Sequence, residues 1–110
     1  MKEAGLPFLP GIQTVSEAMV LRELGFDLLK FFPADAAGGT AWLKAAAAPL
    51  AGLRFCPTGG IGIGTAPGYL ALPNVACVGG SWVAPRDAVA AGDWPQVERL
   101  AAAAAALNRA

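Results

Sequence analysis

The stretch DLLKFFPAD, residues 27–35, sets two aspartates around an apolar run and places one lysine inside it. Leu28-Leu29-Lys30-Phe31-Phe32 is short, apolar and closed by Pro33, the pattern of a buried strand. An ammonium group in such a segment costs several kcal/mol unless it is paired or gives up its proton. Alternation along a strand puts Leu28, Lys30 and Phe32 on one face and Leu29 and Phe31 on the other. Two readings of Lys30 follow. Either it snorkels to the strand end and meets Asp35 or a helix C-terminus, or its neutral form does something useful.

Three further segments resemble this one in layout. LPFLPG (6–11), LRFCPTGG (53–60) and VACVGGS (75–81) are apolar, run into Pro or Gly and precede a helical stretch. The four segments start 21 to 26 residues apart. Between them the pattern predicts a helix from Thr14 to Leu24, with Thr14 as N-cap, Glu17 as its capping-box partner and Gly25 as the stop. A second helix is expected over Thr40–Ala48, closed by Pro49, and a short third over Ala66–Leu72. PRDAVAAG and a helix from Asp93 to Asn108 complete the chain. Strands alternating with helices at this spacing specify βα units and a parallel sheet. The repeat suits a (β/α)₈ barrel, which has eight such units, whereas four are present here. A four-stranded parallel sheet that does not close leaves two bare edges and an uncovered face. The expectation is therefore a single α/β unit over residues 1–110, half of a barrel rather than a small open sheet.

Composition narrows the function. Eight basic and eight acidic residues give zero formal net charge, so nothing favours nucleic acid or an anionic membrane. No apolar run reaches the ~20 residues of a membrane span, and MKEAGLP has no signal-peptide core. Charged residues make up 15% of the chain, below the roughly 25% of ordinary domains, which implies surface hidden against another copy or another chain. Histidine is absent, removing imidazole acid–base chemistry and a common metal ligand. Cys56 and Cys77, with no secretory context, argue against a disulfide framework and read as small buried residues.

Active sites in barrels lie where the strands end, so Lys30 would project into a cavity beside Phe32. A lysine of ordinary pKa is neutral in only about one molecule in 2,500 at pH 7. Desolvation against aromatic rings raises that fraction and turns the amine into a nucleophile for a carbonyl carbon. PTGGIGIGT (57–65) and GGSW (79–82) form two glycine-rich turns on the last two units. Successive backbone N–H groups in such turns cradle phosphate, and barrels commonly bind phosphate after the last two strands. Ser81 adds a hydroxyl. Thr58 ends the strand beside the lysine strand, as a site residue or as a satisfied strand-end threonine. Arg54 shares the face of Cys56 and Thr58. Trp42, Trp82 and Trp94 read as packing or interface residues, and Arg22, Lys44 and Arg99 as solvated helix faces.

LPGIQTVSEAM, KFFPAD, RFCPTGGI and GGSWVAP, taken together and in this order from about Leu6 to Val97, strongly resemble the 2-keto-3-deoxy-6-phosphogluconate and 4-hydroxy-2-oxoglutarate aldolases. The resemblance implies a (β/α)₈ barrel and a cytoplasmic class I aldolase. Such an enzyme cleaves the phosphorylated sugar acid to pyruvate and glyceraldehyde 3-phosphate, needs no metal or cofactor, and assembles as a trimer. Lys30 then matches the lysine that forms the carbinolamine and Schiff base. Phe32 resembles the aromatic of the pyruvate pocket, and Thr58 the threonine near the pyruvate and aldehyde groups. Gly59, Gly60, Gly80 and Ser81 resemble the phosphate-binding set.

Two departures stand out. Asp35 replaces the more usual glutamate after KFFPA. Nothing in residues 1–110 matches the family's general-base glutamate or its carboxylate-binding arginine, both on early strands. The chain is therefore expected to be the C-terminal half of the fold, and the base that moves protons at the methyl carbon of a keto acid to lie elsewhere. Two other expectations compete: a catalytically silent half-barrel that self-associates through its edges, and a phosphate-binding module that uses Gly59, Gly60 and Ser81 without covalent chemistry.

Overall fold

The computed structural model describes residues 9–107. Three parallel strands, β1 (Gly11–Ile12), β2 (Leu28–Phe31) and β3 (Arg54–Pro57), lie in the order β1-β2-β3. The helices α1 (Val15–Glu23), α2 (Gly39–Ala46) and α3 (Ala66–Leu70) follow them in turn. A 3₁₀ turn (Ser81–Val83), α4 (Arg86–Ala90) and α5 (Trp94–Ala105) complete the described chain.

Side-chain caps set the starts of α1 and α5. At α1 the Thr14 hydroxyl accepts from Glu17 N–H at 3.2 Å, while Glu17 Oε1 accepts from the Thr14 and Gln13 N–H groups at 3.0 and 2.9 Å. This is the capping box expected from Thr14 and Glu17. Those donors hold the Glu17 carboxyl below its ordinary pKa, the Gln13 N–H most of all. At α5 the Asp93 carboxylate accepts from Gln96 N–H, and Pro95 fills the first turn, where no amide partner is needed.

The register of β2 against β3 pairs Leu28 with Arg54, Leu29 with Phe55, Lys30 with Cys56 and Phe31 with Pro57. Side chains therefore sort by face. Leu29, Phe31 and Phe55 have no exposed surface and join Leu43, Ala46 and Leu50 beneath the helices. Trp42 of α2 stacks on Phe31 with ring centroids 4.2 Å apart and meets Phe55 edge-on at 5.6 Å. Such aromatic pairs contribute about 0.5–1.5 kcal/mol beyond the area they bury. On the other face Leu28 and Phe32 remain 37% and 51% exposed, and Lys30 is half-buried. Of the β2 and β3 residues on that face only Cys56 is buried among the described residues.

Two segments depart from the sequence reading. The first strand was expected over Leu6–Gly11; residues 1–8 lie outside the described chain, and the paired residues are Gly11 and Ile12, just past Pro10, which has no N–H to give. The fourth, 75–81, forms no continuous strand. It touches β3 through two isolated parallel bridges, Phe55 to Val75 and Thr58 to Gly79. These span four residue positions on β3 and five on its partner, so one surplus residue interrupts the ladder.

The face sorting is open to a direct test. Phe55→Ala should lower the unfolding free energy by about 3–5 kcal/mol, and Phe32→Ala by about 0.5 kcal/mol or less. Equal losses for the two in denaturant melts would contradict the assignment of faces.

Candidate active site

Lys30 stands near the carboxyl end of β2, the middle strand. It lines an open hollow of about 470 Å³ with Leu9, Pro10, Gly11, Ile12, Gln13, Glu17 and Phe32. Its Nζ lies 5.2 Å from the centroid of the Phe32 ring. The pairing of Lys30 with Phe32 expected from alternation is present. The dry setting expected around it is not supplied by these residues alone, because half of Phe32 faces solvent.

Glu17 is the carboxylate that shares this hollow. It already accepts two backbone N–H groups and the Thr14 hydroxyl, and a carboxylate satisfied in this way is a weak base. The hollow thus offers an amine and an aromatic wall, with its acid group committed to starting α1.

Thr58 follows β3 on the face of Cys56. Its N–H donates to Phe31 O at 2.8 Å and its carbonyl accepts from Ala34 N–H at 2.8 Å, so the ends of β2 and β3 are tied together. Its hydroxyl donates to Cys56 O at 3.4 Å. The Gly59-Gly60 turn is built for close approach. Gly59 has φ +103°, and a Cβ there would stand 3.0 Å from the Phe32 ring. Gly60 has φ +74°, and a Cβ there would come within 2.6 Å of Asp35 Cβ. Asp35 N–H donates to Gly59 O at 3.1 Å, and the Tyr69 hydroxyl donates to Asp35 Oδ1 at 3.3 Å. Burial first, then Asp35, raises the Tyr69 pKa. Asp35 therefore acts as a brace for the turn, a part the sequence alone did not suggest.

Gly80 comes beside this turn: a Cβ there would stand 3.1 Å from Ile61 O and would run into the Trp82 ring. Ser81 is exposed and lines a different hollow with Ala84, Pro85, Arg86, Val89 and Ala90. Of the four residues expected to hold phosphate, Gly59, Gly60 and Gly80 sit in closely packed turns, while Ser81 lines the other hollow with Arg86, which sequence reading did not single out. Arg54 is exposed at the start of β3.

The two thiols need a correction. Cys56 is buried as expected, but Cys77 is exposed. Burial, and then the neighbouring Cys77 thiol, push the Cys56 pKa up to about 11.

A family model described as KDPG and KHG aldolase matches residues 1–100. The chain belongs to this family. It is 48% identical over 98 residues to 2-dehydro-3-deoxy-phosphogluconate aldolase of Pseudomonas aeruginosa, covering 89% of this chain and 44% of that protein. It is 50% identical over 99 residues to KHG/KDPG aldolase of Escherichia coli K12, covering 90% and 46%. Among solved structures it matches KDPG aldolase from Legionella pneumophila, with pyruvate captured as a covalent carbinolamine intermediate. The TM-score is 0.87 at 45% identity, over 90% of this chain and 48% of that one. The 2-keto-3-deoxy-6-phosphogluconate aldolase of Zymomonas mobilis matches with a TM-score of 0.84 at 44% identity, over 93% and 48%. This aldolase-family chain spans about half the length of the curated relatives it matches.

Because only the thiolate reacts with iodoacetamide, Cys56 should be alkylated far more slowly than Cys77 at pH 8. Its rate should climb on the order of tenfold per pH unit until pH nears its pKa of about 11. Equal rates at pH 8, or a plateau near pH 9, would contradict this thiol assignment.

Proposed function

We propose that this chain carries the keto-acid-binding part of a class I aldolase site and is the C-terminal half, residues 1–110, of a (β/α)₈ barrel. The observation that carries the reading is the position of Lys30. It is an amine on the open face of the central parallel strand, near its carboxyl end, with Phe32 beside it and Thr58 past its neighbour Cys56.

In this reading the neutral Lys30 amine adds to the C2 carbonyl of pyruvate or of the phosphorylated sugar acid. A C–N bond forms, the carbonyl oxygen takes up a proton to give the carbinolamine, and loss of water gives the Schiff base. Phe32 walls the methyl side, and the Thr58 hydroxyl stands at the adjoining strand end for the oxygens of the keto acid or aldehyde. Gly59, Gly60 and Gly80 offer backbone N–H groups to the phosphate of glyceraldehyde 3-phosphate, and Ser81, the fourth residue of the set, follows Gly80 directly in the chain. No metal or cofactor enters a step. The covalent pyruvate adduct of the Legionella relative supports this route.

Barrel closure is supported by three features of this chain. Leu28 and Phe32 on the Lys30 face are exposed, a hollow of about 440 Å³ opens along the 75–79 edge, and Trp82 Nε1 is buried with no hydrogen-bond partner among the described residues. In this reading the remaining half of the barrel supplies the base that Glu17 does not. No helix of the described residues is long and apolar enough to cross a membrane, in keeping with a cytoplasmic enzyme. Self-association of a silent half-barrel is the competing reading, favoured by the same open face.

Incubation with pyruvate and borohydride, followed by peptide mass mapping, should place one reduced pyruvate on Lys30 and none in Lys30→Met. Aldol cleavage by the chain alone should run roughly 10²–10⁴-fold below that of a full-length relative, the usual cost of a missing acid–base group. Addition of the N-terminal half of that relative should restore it. A stable dimer with no adduct would overturn the aldolase reading and support the silent one.

A further inference from the structure

The segment beside β3 carries one residue too many, and that surplus decides where Cys77 faces. Phe55 bridges Val75 and Thr58 bridges Gly79. Counting forward, Val75 is fully buried beneath the helices with Phe55, so Ala76 turns to the open face. Counting back, Gly79 lies on the open face, where a Cβ would stand 2.7 Å from Thr58 Oγ1. Val78 then turns to the helix side, where it packs on the core, and Cys77 turns to the open face. Two successive residues on one side, Ala76 and Cys77, are the mark of a bulge. Without it Cys77 would point away from Cys56.

The open face thus holds Lys30, Cys56 and Cys77 side by side across neighbouring strands. Lys30 pairs with Cys56 in register, and the bridges Phe55–Val75 and Thr58–Gly79 flank Cys56 and Cys77 and hold their two segments side by side. Segments bridged in this way run about 4.7–4.9 Å apart where they pair, and a disulfide spans roughly 4.4–6.8 Å between Cα atoms, so two thiols on one side of the bridged segments are within reach of closure. One thiol is exposed and the other buried, an arrangement suited to attack on an oxidant at the first and resolution by the second.

We infer that Cys56 and Cys77 form a dithiol oxidation site on the Lys30 face, which a peroxide closes to a disulfide between β3 and the 75–79 segment. In the first step the O–O bond of the peroxide breaks. One oxygen joins Cys77 Sγ as a sulfenic acid, and the other leaves in an alcohol, or in water when the oxidant is hydrogen peroxide. In the second, Cys56 Sγ attacks Cys77 Sγ, the S–S bond forms, the S–O bond breaks, and the oxygen leaves as water with the Cys56 proton. The pair loses two electrons and the peroxide gains them. Disulfides of this kind inside reducing compartments are transient and are reversed by thiol exchange. The site does not depend on aldol chemistry at Lys30.

The test uses the full chain, reduced and then given equimolar hydrogen peroxide. It is denatured in N-ethylmaleimide and mapped by mass spectrometry. Labelled thiols should fall from two per chain to none, with a Cys56–Cys77 linked peptide that dithiothreitol reverses. The oxidised chain should also melt at a higher temperature. Cys56→Ser should stop at a Cys77 sulfenic acid captured by dimedone, and Lys30→Met should still close the bridge, which separates this site from the proposed aldolase chemistry. Two thiols still labelled, chain-to-chain disulfides alone, or Cys77 driven to sulfinic acid while Cys56 stays free would each overturn the inference, whether or not the variants fold.

Discussion

The parallel pairing of β2 with β3 is the constraint on which the site depends. Setting Leu29 opposite Phe55 drives both beneath the helices, where Trp42 packs on the aromatic pair Phe31 and Phe55. The same register necessarily lifts Lys30 and Cys56 to the opposite face. A slip of one residue would bury the amine and expose Phe31, exchanging every side chain between core and solvent. The apolar side therefore holds the lysine in place without touching it. Past the strands the pairing continues into the loops through Thr58 to Phe31, Ala34 to Thr58 and Asp35 to Gly59. The Gly59-Gly60 turn is thereby fixed relative to Lys30 by backbone hydrogen bonds.

Much of this was legible in the residues. KFFPAD and RFCPTGG carry their strand alternation openly, and Thr14 with Glu17 announces the start of α1. Membership of the aldolase family was legible in the same blocks. The less legible parts share one physical origin, that side-chain patterns report alternation but not its interruptions. VACVGGS reads as a strand, and nothing in its composition marks the extra residue that turns Cys77 outward. Phe32 reads as buried because strand phenylalanines usually are, yet its cover is not among the described residues. Asp35 reads as a conservative replacement, and its brace to Tyr69 spans 34 positions that no local pattern connects.

The open face joins these findings. An amine, two thiols and a threonine occupy neighbouring strands on a surface whose other side is a packed core. The carboxylate that lines the same hollow, Glu17, is spent on its helix. Such a face is well made for capturing a carbonyl and poorly equipped to move the protons that follow. The chain that carries it spans about half the length of the curated relatives it matches.

Amide hydrogen exchange of the chain, read residue by residue by NMR, addresses the strand pairing itself. Lys30, Phe32 and Thr58 donate their N–H groups to Pro10, Ile12 and Phe31 across the sheet, and buried ladders open only near global unfolding. Their amides should be among the slowest to exchange, well behind those of α4. Exchange at these three positions as fast as in α4 would mean that the paired strands do not hold, and with them the placement of Lys30.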